Sequence, residues 1–213
     1  LVVTHNRFDL LKRCIRGLRE QTLKSDILVI DNASNDGTKE YLVNEKIDHI
    51  TQGNTGSAGG WHTGIAEGWA RGYDHLWMMD DDGFPDKPAL ERLVSNLSPE
   101  IICISSLLVK ENEHNSLVFG MPVMNKKGFP VILATQRKLN TVQSLGEGLY
   151  PHAHLFNGAL VNLEKVRELG NVDTSYFMYG DEVDYYYRMR TKGKVVTVVD
   201  AFHYHPDVSG RSI

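Results

Sequence analysis

Leu76-Trp77-Met78-Met79-Asp80-Asp81-Asp82-Gly83 is the stretch on which the reading of this chain turns. Four apolar residues in a row suit a short strand buried on both faces. Three carboxylates follow at once, where that strand would end. In an α/β sheet, ligands sit outside the carboxyl ends of the strands. The same run therefore reports both an architecture and a place for chemistry.

Working back toward the start, Leu1 to Thr4 reads as a first strand and His5-Asn6-Arg7 as a polar turn. A helix follows with Leu11, Cys14, Ile15 and Leu18 at i, i+3, i+4 and i+7, and Asp9 is a plausible cap for it. Ile27 to Ile30 is a second apolar strand ending at Asp31, and Asn32 to Thr38 leads into a short helix through Leu42. A third strand is expected near His49 to Thr51, before the glycine-rich stretch Gly53 to Gly60 and a helix through Ile65 and Trp69. Beyond the aspartates, Pro88 suits the first turn of a helix carrying Leu90, Leu93, Val94 and Leu97. Short strands alternating with amphipathic helices give an α/β fold, with a mostly parallel central sheet and helices on both faces. Asn6, Asp31 and Asp80 all follow strand ends, so they should share one rim.

The second half reads differently. Ile101 to Val109, Leu117 to Val123 and Phe129 to Ala134 look like strands joined by turns, a smaller mixed or antiparallel extension. Gln136 to His154 lacks periodicity and reads as a loop that could order over substrate. A last helix is expected near Asp181, with Val183, Tyr186 and Tyr187 on one side and Gly193 past its end. Val195 to Val199 is a final strand delivering His203 and His205.

Composition bounds what such a chain can do. Its 213 residues suit one domain, and a formal charge of −4 gives no reason to expect nucleic acid, which needs a basic stripe. The longest apolar run, Ile101 to Val109, is broken by serines and is too short for a bilayer. No charged leader precedes Leu1-Val2-Val3, so no signal peptide is expected, though a few residues before this strand-like start are. The two cysteines, Cys14 and Cys103, fall on apolar faces and read as core residues in a reducing compartment, with the cytosol as default.

Adjacent aspartates repel and hold on to their protons unless a cation stabilises the ionised forms. Hard oxygen ligands suit Mg²⁺ or Mn²⁺ rather than Zn²⁺. If Met79 ends the strand, Asp80 and Asp82 point one way and Asp81 the other. The alternative is a solvated acidic turn capping the next helix. Gly53-Asn54-Thr55-Gly56-Ser57-Ala58-Gly59-Gly60 matches neither the dinucleotide fingerprint nor the phosphate loop, but it permits close backbone approach to a ligand. Asp181-Glu182-Val183-Asp184 opens a helix, where carboxylates are favoured by the dipole alone; a general base for a hydroxyl is the functional alternative. His203 and His205 share a strand face, and one of them joining Asp82 on a single cation is a better reading than a separate zinc centre. Trp61, Trp69 and Trp77 read as core or pocket lining.

Taken in order, these stretches resemble the family-two glycosyltransferases, inverting enzymes with a GT-A fold. The matching pieces are Val2-Val3-Thr4-His5-Asn6-Arg7, Val29-Ile30-Asp31-Asn32-Ala33-Ser34-Asn35-Asp36-Gly37-Thr38, the glycine-rich Asn54 to Gly60, and Met79-Asp80-Asp81-Asp82-Gly83. Phe156-Asn157-Gly158-Ala159, Gly180-Asp181-Glu182-Val183-Asp184 and the late His203 complete the set. The resemblance implies one catalytic domain over 1–213, with 1–100 binding a nucleotide sugar and 101–213 the acceptor. Thr4, Asn6, Arg7, Asp31, Asn54, Gly56, Asp80 and Asp81 would surround the donor, and Asp80, Asp82 and His203 would hold Mn²⁺ or Mg²⁺. Asp181 or Glu182 would be the base; the family's usual aspartate is Glu182 here, which leaves the choice open. Asn157, Gly158 and Asp184 would face the acceptor.

The triple aspartate and late histidine look most like transferases using UDP-galactofuranose or dTDP-rhamnose, among other UDP-hexoses. The acceptor implied is a glycan or lipid-linked glycan of cell-surface polysaccharide synthesis. A cytoplasmic enzyme is expected, with room for peripheral docking on the inner face of the plasma membrane and for a homo-oligomer. Longer members carry C-terminal helices, so a segment after His205 is expected to be missing. The competing readings are a sugar nucleotidyltransferase, which should carry a glycine- and lysine-rich phosphate loop, a non-catalytic nucleotide-sugar-binding module, and a zinc hydrolase centred on His203 and His205.

Overall fold

A computed structural model describes residues 1–125, 130–146 and 148–207. The first half alternates as the periodicities predict: β1 (Val2–Thr4), α1 (Phe8–Arg19), β2 (Leu28–Asp31), α2 (Thr38–Asn44), β3 (Asp48–Thr51), α3 (Gly56–Ala70) and β4 (His75–Asp80). After β5 (Phe84–Pro85) and α4 (Ala89–Ser95) come the long strands β6 (Ile101–Lys110), β7 (Glu113–Met124) and β8 (Pro130–Lys138). The chain then forms α5 (Leu139–Gly146), β9 (Leu149–Tyr150), β10 (Asn157–Asn162), α6 (Leu163–Arg167), α7 (Asp181–Arg190) and β11 (Lys194–His205).

The sheet runs β3-β2-β1-β4-β10-β6-β11-β5, with β7 and β8 extending from β6 as an antiparallel pair and β9 beside β11. β3, β2, β1 and β4 are parallel, and β6 is parallel to β11. β10 is antiparallel to both of its neighbours, β4 and β6. Thus the largely parallel sheet with a mixed extension is present, joined through one reversed strand.

Alternation along the strands sends side chains to two cores. On one face Val3, Ile30 and Met78 pack with Trp61 and Ile65 of α3 and Tyr185 and Met189 of α7. On the other, Val2, Val29 and Met79 pack with Leu11, Cys14, Ile15 and Leu18 of α1 and Leu90 and Leu93 of α4. Each such aliphatic side chain contributes about 1.5–3 kcal/mol by leaving water. Both cysteines are buried and free, as their apolar settings predict.

Three expectations need correction. Asp9 does not cap α1: the cap position is Arg7, and the Phe8 N–H is instead satisfied by Asp36 Oδ2 at 2.9 Å. The glycine-rich stretch does not stop before α3 but forms its first turns, because Cβ at Gly60 would lie 2.5 Å from Val3 and lift the helix off β1. Residues 136–154 are not one loop. They hold the end of β8, then α5 and β9, and Val142 of α5 is buried with Tyr150 against Val109 and Leu117. On α7, Val183, Tyr186 and Tyr187 do share one side, which lines a cavity, while Asp181, Tyr185, Tyr186 and Met189 are buried. Phe129, expected to open a strand, lies outside the described residues.

Candidate active site

β1, β2 and β4 end together, and the loops leaving them form one rim. Asn6, at φ +52°, is pinned to the loop after β2: its N–H donates to Ser34 Oγ at 2.9 Å, and its Oδ1 accepts from the Asn35 N–H at 2.8 Å. Asp31 is fully buried; its Oδ1 accepts from the Ser34 N–H at 2.9 Å, while its Oδ2 has no partner. Asn32, which the sequence reading did not single out, donates to the Gly56 carbonyl at 2.9 Å and accepts from Gln52 at 2.8 Å. Asn54 Oδ1 accepts from the Gly56 N–H at 3.0 Å and so turns the chain into α3. Gly56 sits at φ +74°, and a Cβ there would fall 1.8 Å from the Phe177 carbonyl.

The acidic turn departs from strand alternation because β4 ends at Asp80 and a turn begins with Asp81. Asp81 and Asp82 therefore do not diverge. Arg7 Nη1 donates to Asp81 Oδ1 at 3.2 Å and to Asp82 Oδ2 at 2.9 Å. Thr4 Oγ1 also donates to Asp81 Oδ2 at 2.6 Å. Burial pushes Asp81 up to about 6 in spite of these bonds. Asp80 is raised well above the usual carboxylate range by burial and by its two neighbours. The bland alternative, a solvated acidic turn, does not describe side chains so enclosed.

The two late histidines take different positions. His205 Nε2 stands 3.0 Å from Asp82 Oδ1, and both side chains are buried. His203, expected beside the metal, is fully buried between Gly83 and Gly158, and neither of its ring nitrogens has a hydrogen-bond partner. Burial and the nearby His205 press its pKa down to about 3. Of the pair, His205 is the one that meets the aspartates.

α7 brings the second acidic group to the same cavity. Asp181 is buried at the head of the helix, 3.5 Å from Ser57 Oγ, and Glu182 Oε2 accepts from the Gly180 N–H at 3.1 Å. Burial first, then a hydrogen bond and charge repulsion from Glu182, raise Asp181 to about 6. Asp184 turns away, pairing with Arg188 at 2.7 Å, and does not line the cavity. Gly158, at φ +85°, makes room for His203 rather than facing a ligand. Asn157 does line the cavity and leaves its Oδ1 without a partner.

The cavity itself holds about 600 Å³, within the range of small-molecule sites. Thr4, Arg7, Asn54, Gly56 and all three aspartates line it, as do Asp181, Glu182 and His205. Asn6, Asp31 and His203 are not among the lining residues. Residues missed from sequence include Phe119, His152, His154 and Tyr186 on one side and the exposed Phe177, Met178 and Tyr179 at the mouth. Pro151-His152-Ala153-His154, two histidines one residue apart just before the Phe156-Asn157-Gly158-Ala159 stretch, was the signal available for two of them.

Donor chemistry at the acidic turn fits a hard divalent cation. Among the described residues no group of three His, Cys, Asp or Glu side chains is placed to hold a metal ion. The pair that meets, Asp82 and His205, would supply two protein ligands and leave the other positions to oxygens of a bound ligand, as Mg²⁺ sites commonly do.

Comparison with known proteins agrees with this geometry. A family model described as "Glycosyl transferase family 2" matches residues 1–129. The chain is 29% identical over 214 residues to galactofuranosyltransferase GlfT1 of Mycolicibacterium smegmatis, covering 97% of this chain and 70% of that protein. It is 30% identical over 217 residues to GlfT1 of Mycobacterium tuberculosis H37Rv, covering 97% and 69%. Among solved structures, GalNAc-T7 with UDP, GalNAc and Mn²⁺ superposes with a TM-score of 0.72 at 17% identity over 96% of this chain. The chain spans 43% of that longer one. The shared architecture is the GT-A fold.

Proposed function

From glycosyl transferase family 2, to which this chain belongs, we propose an inverting transfer of a sugar from a UDP- or dTDP-sugar to an acceptor hydroxyl, with UDP-galactofuranose the first donor to try. The acceptor is a glycan or lipid-linked glycan of surface polysaccharide synthesis. The observation that carries this reading is a single cavity lined both by Asp80, Asp82 and His205 and by Asp181 and Glu182. Residues 1–100 hold the nucleotide, and the remainder supplies the acceptor side together with His205.

Thr4, Arg7, Asn54 and Gly56 surround the nucleoside, while Asp31 and Asn6 act from outside the cavity lining by fixing the loop that carries Ser34. Asp82 and His205 would hold Mn²⁺ or Mg²⁺, which supplies Lewis-acid stabilisation of the leaving diphosphate. Arg7, bridging Asp81 and Asp82, keeps the two carboxylates together before the donor binds. Asp181 and Glu182 act as a hydrogen-bonded pair that takes the acceptor's proton. A carboxylate titrating near 6 is poised to do so at neutral pH. Asn157 orients the acceptor.

Incubating the chain with UDP-galactofuranose, Mn²⁺ and a hydroxyl acceptor tests the reading. Release of UDP with an inverted anomeric centre in the product supports it. Release of pyrophosphate indicates nucleotidyl transfer, binding without turnover indicates a binding module, and a product of retained configuration rejects the single displacement.

A further inference from the structure

The cavity has a wall of rings that runs from the metal end to the carboxylate end, and nothing above assigns it a task. Phe119 of β7 lies with its ring centre 6.0 Å from that of His205 and 5.3 Å from that of His154. His154 is 5.0 Å from His152, and their planes are crossed at 83°. His152 is 4.9 Å from Tyr186, one helical turn beyond Glu182 on the same face of α7. All five rings line the cavity.

Hydrogen bonds fix what the two imidazoles present. Arg190 Nη1 donates to the Tyr186 hydroxyl at 3.4 Å, which leaves that hydroxyl's own proton available to His152 Nδ1, 2.9 Å away. In the tautomer in which Nδ1 accepts that proton, the His152 proton resides on Nε2, a donor. His154 bonds to the Gly120 backbone, and this bond favours the protonated ring, so it is one the imidazole donates. Its Nε2 is buried, has no partner and carries a lone pair. Burial keeps both rings neutral, lowered to about 3 for His152 and about 4 for His154. A neutral donor beside a neutral acceptor suits neighbouring hydroxyl groups and offers little to a phosphate, which wants charge.

We propose that His152 and His154, set by Tyr186 and Gly120, form the subsite that reads hydroxyls of the sugar being transferred, with Phe119 as its apolar floor. This rests on the donor reading above. In that reading the sugar ring lies between the diphosphate and the attacking hydroxyl, the interval the wall occupies. An unpaired His154 nitrogen is costly unless a ligand satisfies it, and a site built to bond a hydroxyl discriminates strongly against sugars that misplace one.

The test is calorimetric, on the full chain with Mn²⁺, measuring Kd for UDP and for UDP-galactofuranose, UDP-galactopyranose and UDP-glucose. For the best-bound sugar, the ratio of its Kd to that of UDP should rise at least tenfold in His154→Phe and in Tyr186→Phe, with the Kd for UDP within twofold of wild type. Tyr186→Phe removes one oxygen only, so it reports even if His154→Phe melts early. An unchanged ratio in a folded Tyr186→Phe overturns the assignment. So does a transfer rate that falls at saturating donor with the ratio unchanged, since that puts the histidines against the acceptor. If wild type binds no UDP at all, the donor reading fails with it, and that result is distinct from either of the others.

Discussion

His205 Nε2 meets Asp82 Oδ1 at 3.0 Å, with both groups buried, although one leaves β11 and the other follows β4. On the proposed function, an imidazole and a carboxylate so arranged are candidates to share one cation. The sequence resemblance gave the metal-side role to His203; we propose it instead for His205, because that ring and not His203 meets Asp82.

Asp82→Asn and His205→Gln should each weaken Mn²⁺-dependent UDP binding by more than the roughly 10–100-fold typical of residues that only orient ligands. His203→Gln should change that affinity by less than about threefold, within the scatter of a change remote from the ligands. Titration calorimetry with UDP at fixed Mn²⁺ decides between them, and an equal loss in His203→Gln would restore the earlier assignment.

Glu182→Gln and Asp181→Asn should each lower kcat by about 10²–10⁴ while donor affinity stays unchanged, the signature of a lost proton acceptor. Steady-state rates with saturating UDP-sugar check this. If only one variant loses turnover, the pair does not work as a unit and that residue alone is the base.

Asp181 also predicts two pH effects. As the base it must be ionised, so kcat/KM should fall as pH drops below about 6. For stability the sign is opposite to that of a salt-bridged aspartate. Its folded pKa is raised above the unfolded value, so the fold disfavours the charged form, and the penalty grows from about pH 4 to pH 6 and persists above. Asp181→Asn should therefore raise Tm at pH 8 and leave it nearly unchanged at pH 4. A melting series across that range would show it.

Gly83→Ala should destabilise the chain by about 1–3 kcal/mol, the usual cost of overpacking. The new methyl would lie 2.2 Å from His203 Nε2, and that ring is closed in by Gly158 from the other side. Urea melts measure the loss; a shift under about 0.5 kcal/mol would mean that the ring can move aside.

The first half of the fold was legible because its signals are local. Strands such as Ile27 to Ile30 and helix faces such as Leu11, Cys14, Ile15 and Leu18 announce themselves within a dozen residues, and the acidic turn follows a strand end directly. What stayed hidden depends on distant partners. α5 has only Leu139, Val142 and Leu145 in eight residues, too few for a periodic signal, and is held by Tyr150 and the β6–β7 hairpin. His203 and His205 look equivalent along the strand; only the glycines at 83 and 158 distinguish them. Asp184 reads like a third site carboxylate until Arg188, one turn on, is seen to claim it.

The reversed strand β10 carries one more implication, for how the protein comes into being. β4 cannot gain its second neighbour until residues near 160 have emerged from the ribosome, and Asp82 waits for His205 later still. Pairings this far apart along the chain form slowly. The nascent first half, with β4 still an open edge, is therefore the state in which premature release or a stalled ribosome would invite aggregation.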